Sequence, residues 1–166
     1  YEVSSLKDDA LYQLGNTYSK INNNAEAHIA YSNLLEKYEK SIFIPKTLIR
    51  QGLLYYNDGE NEKALEKYKQ IVHLFPNSPE AFEAVANARN IYIDNDNVAD
   101  YVVWIKGLKF INITNSELDN TTFAAAEKKY LNTTDQERIV SSLRGYTTSF
   151  PEGIHALKAN FYLAET

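Results

Sequence analysis

The 166-residue chain contains no cysteine and no methionine, and only 6 glycines, 4 prolines and one tryptophan. Without cysteine it can form neither a disulfide nor a thiolate metal site, and it suits a cytoplasm or a periplasm equally. The glycines that matter, Gly15, Gly52 and Gly59, are too dispersed to cradle phosphate, and neither Gly-x-x-x-x-Gly-Lys nor Gly-x-Ser-x-Gly occurs. No apolar run approaches the roughly 18 residues of a membrane span, and no signal-peptide pattern is present, so direct membrane insertion of this stretch is not expected. With no initiating methionine and a start at Tyr1 in mid-pattern, the chain reads as a fragment excised from a longer protein; the missing leader therefore says nothing about export. Positive charge is also scarce. Lys and Arg number 17 against 22 Asp and Glu, a formal net charge of -5 with pI near 5.2, and neither half is basic. Electrostatic binding of nucleic acid or of an anionic membrane is disfavoured.

Catalytic chemistry is equally hard to find. His28, His73 and His155 fall in three different predicted helices without an acidic or histidine partner at metal-ligand spacing, and are expected on the surface or rim. Carboxylate pairs such as Glu60 with Glu62 and Asp94 with Asp96 sit in predicted turns, where helix capping accounts for them. Asn112, Asn120 and Asn132 open Asn-x-Thr triplets but read as turn residues in so Asn-rich a chain. No catalytic residue, cofactor or metal site is expected, and the chain reads as non-enzymatic.

What the chain does have is a period. The stretch Thr47 to Ala81 reads as two helices and a turn: Leu48, Gly52 and Tyr55 on the first, Asn57, Asp58 and Gly59 stopping it, then Ala64, Tyr68, Ile71 and Phe75 on the second before Pro76. A shift of 37 residues lays Leu11, Gly15, Tyr18, Ala27, Tyr31, Leu34 and Tyr38 on Leu48, Gly52, Tyr55, Ala64, Tyr68, Ile71 and Phe75. A third copy is degenerate, with Arg89 at the Gly52 position and Tyr101 at the Ala64 position. A fourth returns at Phe123, Ala126, Tyr130, Ile139, Leu143, Tyr146, Phe150 and Pro151. Helix pairs of this size cannot bury both faces alone, so they occur in stacks. The 13 tyrosines are mostly assigned to recurring core positions.

This order of small and large residues, Gly and Tyr three apart on the first helix and Ala and Tyr four apart on the second, resembles the tetratricopeptide repeat (TPR), with a period longer than the usual 34. The extra residues fall at Phe75-Pro-Asn-Ser78 and Phe150-Pro-Glu-Gly153, which resemble the TPR variant of bacterial cell-envelope proteins of the outer-membrane assembly lipoprotein and Tol-Pal-associated type. The segments Phe123 to Tyr130 and Phe161 to Glu165 are similar to those of large Bacteroidetes multi-repeat TPR proteins. The resemblance implies an all-α fold, a right-handed superhelical α-solenoid of about four repeats plus the first helix of a fifth. It also implies a periplasmic or outer-membrane-associated location and a role in binding proteins.

Within a single solenoid over residues 1–166, the repeats are expected at 6–40, 44–76, 79–108 and 121–151, with a fifth opening at 153–166. Tyr1 to Ser5 read as a frayed lead-in or the end of a lost preceding helix. Pro45 and the Ser78-Pro79 pair mark helix starts. Lys109 to Asn120 reads as an irregular connection, with Asn115, Ser116 and Asp119 as turn formers and the fourth repeat's first helix starting near Thr121 or a turn earlier. The bulk of Arg89 and Tyr101 predicts a bend or opening of the superhelix there.

The first, or A, helix of each TPR pair lines the concave face. The period maps that face onto Asp9, Tyr12, Gln13, Asn16 and Lys20, then Lys46, Ile49, Arg50, Leu53, Tyr56 and Asn57, then Glu83, Asn87, Asn90 and Asp94, and last Lys128, Leu131 and Asn132. Aromatic and aliphatic anchors among amides, with the Lys46 and Arg50 pair, suit an extended or helical peptide, although an ordinary solvated helix face would look similar. The pattern that clamps a chaperone's C-terminal carboxylate is matched only at Asn16. The leading expectation is a protein-binding scaffold whose partner residues include Tyr12, Asn16, Lys46, Ile49, Arg50, Leu53, Tyr56, Asn57, Asn87 and Asn90. The alternative is a spacer that self-associates through the open apolar face of Leu157, Phe161 and Leu163.

Overall fold

In a computed structural model the backbone is described for residues 2–95 and 97–166, with side chains from Leu6 onward; Tyr1 and Asp96 lie outside the described residues. All regular structure among them is helical: α1 (Glu2–Lys20), α2 (Asn24–Lys37), α3 (Ile44–Asn57), α4 (Asn61–Leu74), α5 (Pro79–Asp94), α6 (Val98–Lys106), α7 (Asn115–Asn132), α8 (Gln136–Ser149) and α9 (Ala156–Glu165). The result is an all-α stack of helix pairs. It falls into two compact units, residues 1–91 and 92–166.

The turns follow local chemistry. Asn22 (φ 59°), Gly59 (φ 78°) and Asn77 (φ 68°) adopt the left-handed conformation that ends helices, where Asn and Gly are the residues that cost least. Pro45 sits in the first turn of α3, where its missing N–H is not needed. Ser78 Oγ accepts from Ala81 N at 3.0 Å, the expected cap of α5. Three B helices, α2, α4 and α8, end in one way: Tyr38, Phe75 and Phe150 stand just outside the helix with φ between -134° and -130°, each donating its N–H back into the last turn. That conformation ends α2 at Lys37 rather than at Lys40.

Three expectations change. Helix α1 already includes Glu2 to Ser5 rather than a frayed lead-in. Helix α7 begins at Asn115, because Thr114 and Glu117 form a complete capping box: Glu117 N donates to Thr114 Oγ1 at 3.2 Å and Thr114 N to Glu117 at 2.8 Å. Asn115, Ser116 and Asp119 are therefore helical, not turn formers. Helix α9 starts only at Ala156, after a turn over Gly153 to His155.

In the first unit the core is made where B-helix tyrosines lie on A-helix glycines. Tyr31 and Tyr68 are fully buried, and a Cβ on Gly52 would stand 2.6 Å from the Tyr68 ring; one on Gly15 would meet the Tyr31 ring still closer. Ala27, Leu34, Leu48, Ala64 and Ile71 complete the same layer. In the second unit Phe123, Ala126, Ile139, Leu143, Tyr146 and Ala159 form the core, with Tyr130, Phe150, Tyr162 and Leu163 against it. Leu163 is thus packed, whereas Leu157 and Phe161 of the same helix are exposed. The degenerate third pair is filled with rings, Tyr92, Tyr101 and Trp104 meeting at 5.9 to 6.3 Å between centroids.

Candidate functional site

The A helices of the first unit, α1, α3 and α5, carry the residues expected to meet a partner. Shifts of 37 residues arrange them in rows: Asp9, Lys46 and Glu83; Gln13, Arg50 and Asn87; Asn16, Leu53 and Asn90. On α3, Lys46, Arg50, Leu53 and Asn57 follow one another at helical spacing along one stripe. Lys46, Arg50 and Asn57 are exposed, and Leu53 and Tyr56 are half-buried between them. This stripe runs from two cations through an aliphatic side chain to an amide, without a carboxylate.

Other expected residues are engaged by the fold. Tyr12 is half-buried and stacks on Phe43 at 5.1 Å, and Asn16 accepts a 2.8 Å hydrogen bond from the Tyr31 hydroxyl. Ile49 is only 4% exposed, so it belongs to the packing rather than to the open face. Gln13 donates to its own helix neighbour Asp9 at 3.2 Å. Asn87 is half-buried and Asn90 exposed. In the second unit Lys128 pairs with Asp94, Asn132 donates to the Lys128 carbonyl, and Leu131 is exposed.

The floor beneath these residues differs between repeats. Burial pushes the Tyr31 phenol up to about 12, with Arg50 opposing and Tyr12 reinforcing the shift. The Tyr68 hydroxyl has no Asn16 equivalent, because Leu53 stands in that register. Burial raises it still further, with Glu83 and Tyr56 acting in the same direction. The Asn87 amide beside it opposes the shift but lacks hydrogen-bond geometry, so the buried hydroxyl is unpaired. Both phenols are neutral at physiological pH.

Several residues that organise the second unit carry no clear signature in the sequence. Asp119 is buried and accepts from the Tyr146 hydroxyl at 2.6 Å and from Ile154 N at 2.8 Å, which ties the Phe150-Pro-Glu-Gly153 turn to α7. Gly153 permits this, since a Cβ there would come within 2.6 Å of the Tyr146 hydroxyl. The Thr114-x-x-Glu117 box is the sequence signal for the earlier helix start that brings Asp119 into α7. Between α7 and α9, Tyr130 stacks on Tyr162 at 3.9 Å and Phe123 on His155 at 4.3 Å. Lys158 lies 5.6 Å over both the Phe123 and Tyr162 rings and pairs with Glu127 at 2.6 Å, holding that carboxyl below its usual range. His155 also bonds Asn120 at 2.7 Å, while His28 packs at 4.3 Å on Tyr55 and meets Asp58 at 3.4 Å. Both are packing residues; His73 alone is openly exposed. Glu60 pairs with Lys63 instead of capping α4. No group of three or more His, Asp or Glu side chains suited to a metal occurs among the described residues, and no described helix is long and apolar enough to cross a membrane.

Residues 9–41 and 46–78 match the family model of the tetratricopeptide repeat, each match taking in an A helix, a B helix and the closing aromatic. No curated protein matches the sequence. Among solved structures, the chain is similar to a kinesin light chain candidate of Podosopora anserina with nearly identical TPR-like repeats. The two share 14% identity, over 95% of this chain and 83% of that one, with a TM-score of 0.48.

Proposed function

We propose that the A-helix face of residues 1–91 binds a protein partner through a peptide segment, with Lys46, Arg50, Leu53, Tyr56 and Asn57 as its centre and Asn16, Asn87 and Asn90 at its flanks. The observation that carries the reading is the α3 stripe: two exposed cations beside a half-buried leucine and tyrosine, in repeats that match the TPR model. The leucine and the tyrosine anchor the peptide, the amides bond its backbone, and Lys46 and Arg50 select a carboxylate-bearing sequence. Tyr12, stacked on Phe43, shapes the edge of the face, and Ile49 supports it from below. The chain serves as a scaffold, and the Phe-Pro turns at Phe75 and Phe150 support placing it in a larger bacterial cell-envelope protein.

Selection of a displayed random-peptide library on the 166-residue chain tests this. Enriched peptides should carry Asp or Glu, and Arg50→Glu combined with Tyr56→Ala should weaken them at least tenfold while the helical circular dichroism spectrum is kept. Enrichment that survives the double variant would remove this face from consideration. A second reading, self-association, is favoured by Leu157 and Phe161, 86% and 57% exposed on α9. Sedimentation of a monomer across a wide concentration range would refute it.

A further inference from the structure

A cleft of about 610 Å³ opens between α6, α7 and α8, wholly inside the second unit. Val102, Leu118 and Phe150 give it an apolar lining. Among the described residues its charged lining is Lys106 and Lys129, in a chain of net charge -5. Along α7 it reaches from Asn115 to Lys129, a length of about 21 Å at 1.5 Å per residue. A trough of that length matches a helix of about 14 residues better than a compact small molecule.

One wall of the cleft contains Gly145, in the interior of α8. Glycine destabilises a helix interior relative to alanine, so its presence calls for a reason. At Gly15 and Gly52 the reason is internal, since an added Cβ would strike Tyr31 or Tyr68. At Gly145 an added Cβ would meet nothing within 4 Å. The packing of the described residues does not call for a glycine there, and what it does provide is room for a second backbone to approach α8.

From these features we infer that the cleft between α6, α7 and α8 is a docking groove for an amphipathic helix of a partner protein, one carrying carboxylates beside its apolar stripe. The apolar stripe enters over Leu118 and Val102, its backbone passes close to Gly145, and its carboxylates face Lys106 and Lys129. Charge complementarity selects an acidic helix over a basic one. The inference does not rest on the α3 face.

The test uses the full 166-residue chain and two fluorescein-labelled helical peptides. Both have leucine at i, i+3, i+4 and i+7 spacing; one carries glutamate along its flanks and the other lysine. Fluorescence anisotropy should show the acidic peptide binding at least tenfold tighter than the basic one. Measured in the Arg50→Glu, Tyr56→Ala background, so that the α3 face does not contribute, Gly145→Trp should weaken it at least tenfold and Lys106→Glu should narrow the preference. Gly145→Ala serves as the folding control: it should melt higher than the parent, showing an intact helix, and bind the acidic peptide more weakly than the parent but more tightly than Gly145→Trp. No saturable binding, equal binding of the two peptides, or indifference to Gly145→Trp would overturn the proposal. So would displacement of the peptide by unlabelled chain together with a dimer abolished by Gly145→Trp, which would make the occupant a second copy.

Discussion

The two units bury tyrosine in different ways. In residues 1–91 the tyrosine follows a small residue by four on the B helix, Ala27 to Tyr31 and Ala64 to Tyr68, and its ring lies on a glycine of the paired A helix. In the α7 and α8 pair of residues 92–166 the corresponding positions are Ile139 and Leu143, and the buried tyrosine comes one turn later, at Tyr146. There its hydroxyl reaches Asp119 and helps fix the turn that leads to α9. The first arrangement joins two helices of one pair; in the second the Tyr146 hydroxyl bonds Asp119 within the α7 and α8 pair, and the same carboxylate accepts from Ile154 N in the turn toward α9. The family model matches residues 9–41 and 46–78, where the glycine contact is present. The same hydrophobic periodicity thus supports two packing solutions.

The sharpest way to break the contrast is Asp119→Ala. It strands the buried Tyr146 hydroxyl and removes a charged acceptor, at a cost of about 3 kcal/mol. Urea unfolding followed by the fluorescence of Trp104, the single tryptophan, should show the loss in the second unit.

Gly52→Ala tests the other solution. Its Cβ would stand 2.6 Å from the Tyr68 ring, so overpacking should cost about 1–2 kcal/mol after the helical preference for alanine offsets part of it. Thermal melting by circular dichroism measures this, and Gly145→Ala in the same assay should raise the melting point, a stabilisation of about 0.5–1 kcal/mol.

A finer comparison separates the two tyrosines of the first unit. Tyr31→Phe deletes the bond to Asn16 and should cost about 1 kcal/mol, whereas Tyr68→Phe removes an unpaired buried hydroxyl and should be neutral or stabilising. Equal losses from both would show that the Tyr68 hydroxyl has a partner in solution.

Alkaline titration gives the smallest effect. Tyr31 and Tyr146 are both raised to about 12, chiefly by burial, against 10.0 for an ordinary tyrosine. Between those pH values the unfolded chain has lost protons that the folded chain keeps, so stability falls as pH rises from 10 toward 12. Parent and Tyr146→Phe melting curves should therefore converge across that window.

The helices were largely legible from residue spacing, because an apolar stripe every three or four residues and Asn, Gly or Pro between stripes act within a single turn of chain. The start of α7 was legible too, in Thr114 and Glu117, but Asn115, Ser116 and Asp119 looked like turn residues when taken singly. The candidate face was legible as a register: the period placed Lys46, Arg50, Leu53 and Asn57 on one stripe. It did not show that Ile49 turns inward or that Tyr12 is held by Phe43, since both depend on how neighbouring helices meet. Nor did it show that His28 and His155 are held by rings, because Tyr55 and Phe123, on which they pack, lie about 30 residues away.

By itself the amino-acid sequence determined the repeat, the helix pairs and the turn residues between them, since each follows from backbone geometry and burial over a few residues. Only the tertiary structure decided which hydroxyls are paired, that Asp119 ties the Phe150-Pro151 turn to α7, and that Gly145 faces open space while Gly15 and Gly52 face tyrosine rings. Those outcomes depend on atoms brought together from different helices, and a one-dimensional pattern says which residues face a neighbour without saying what the neighbour presents.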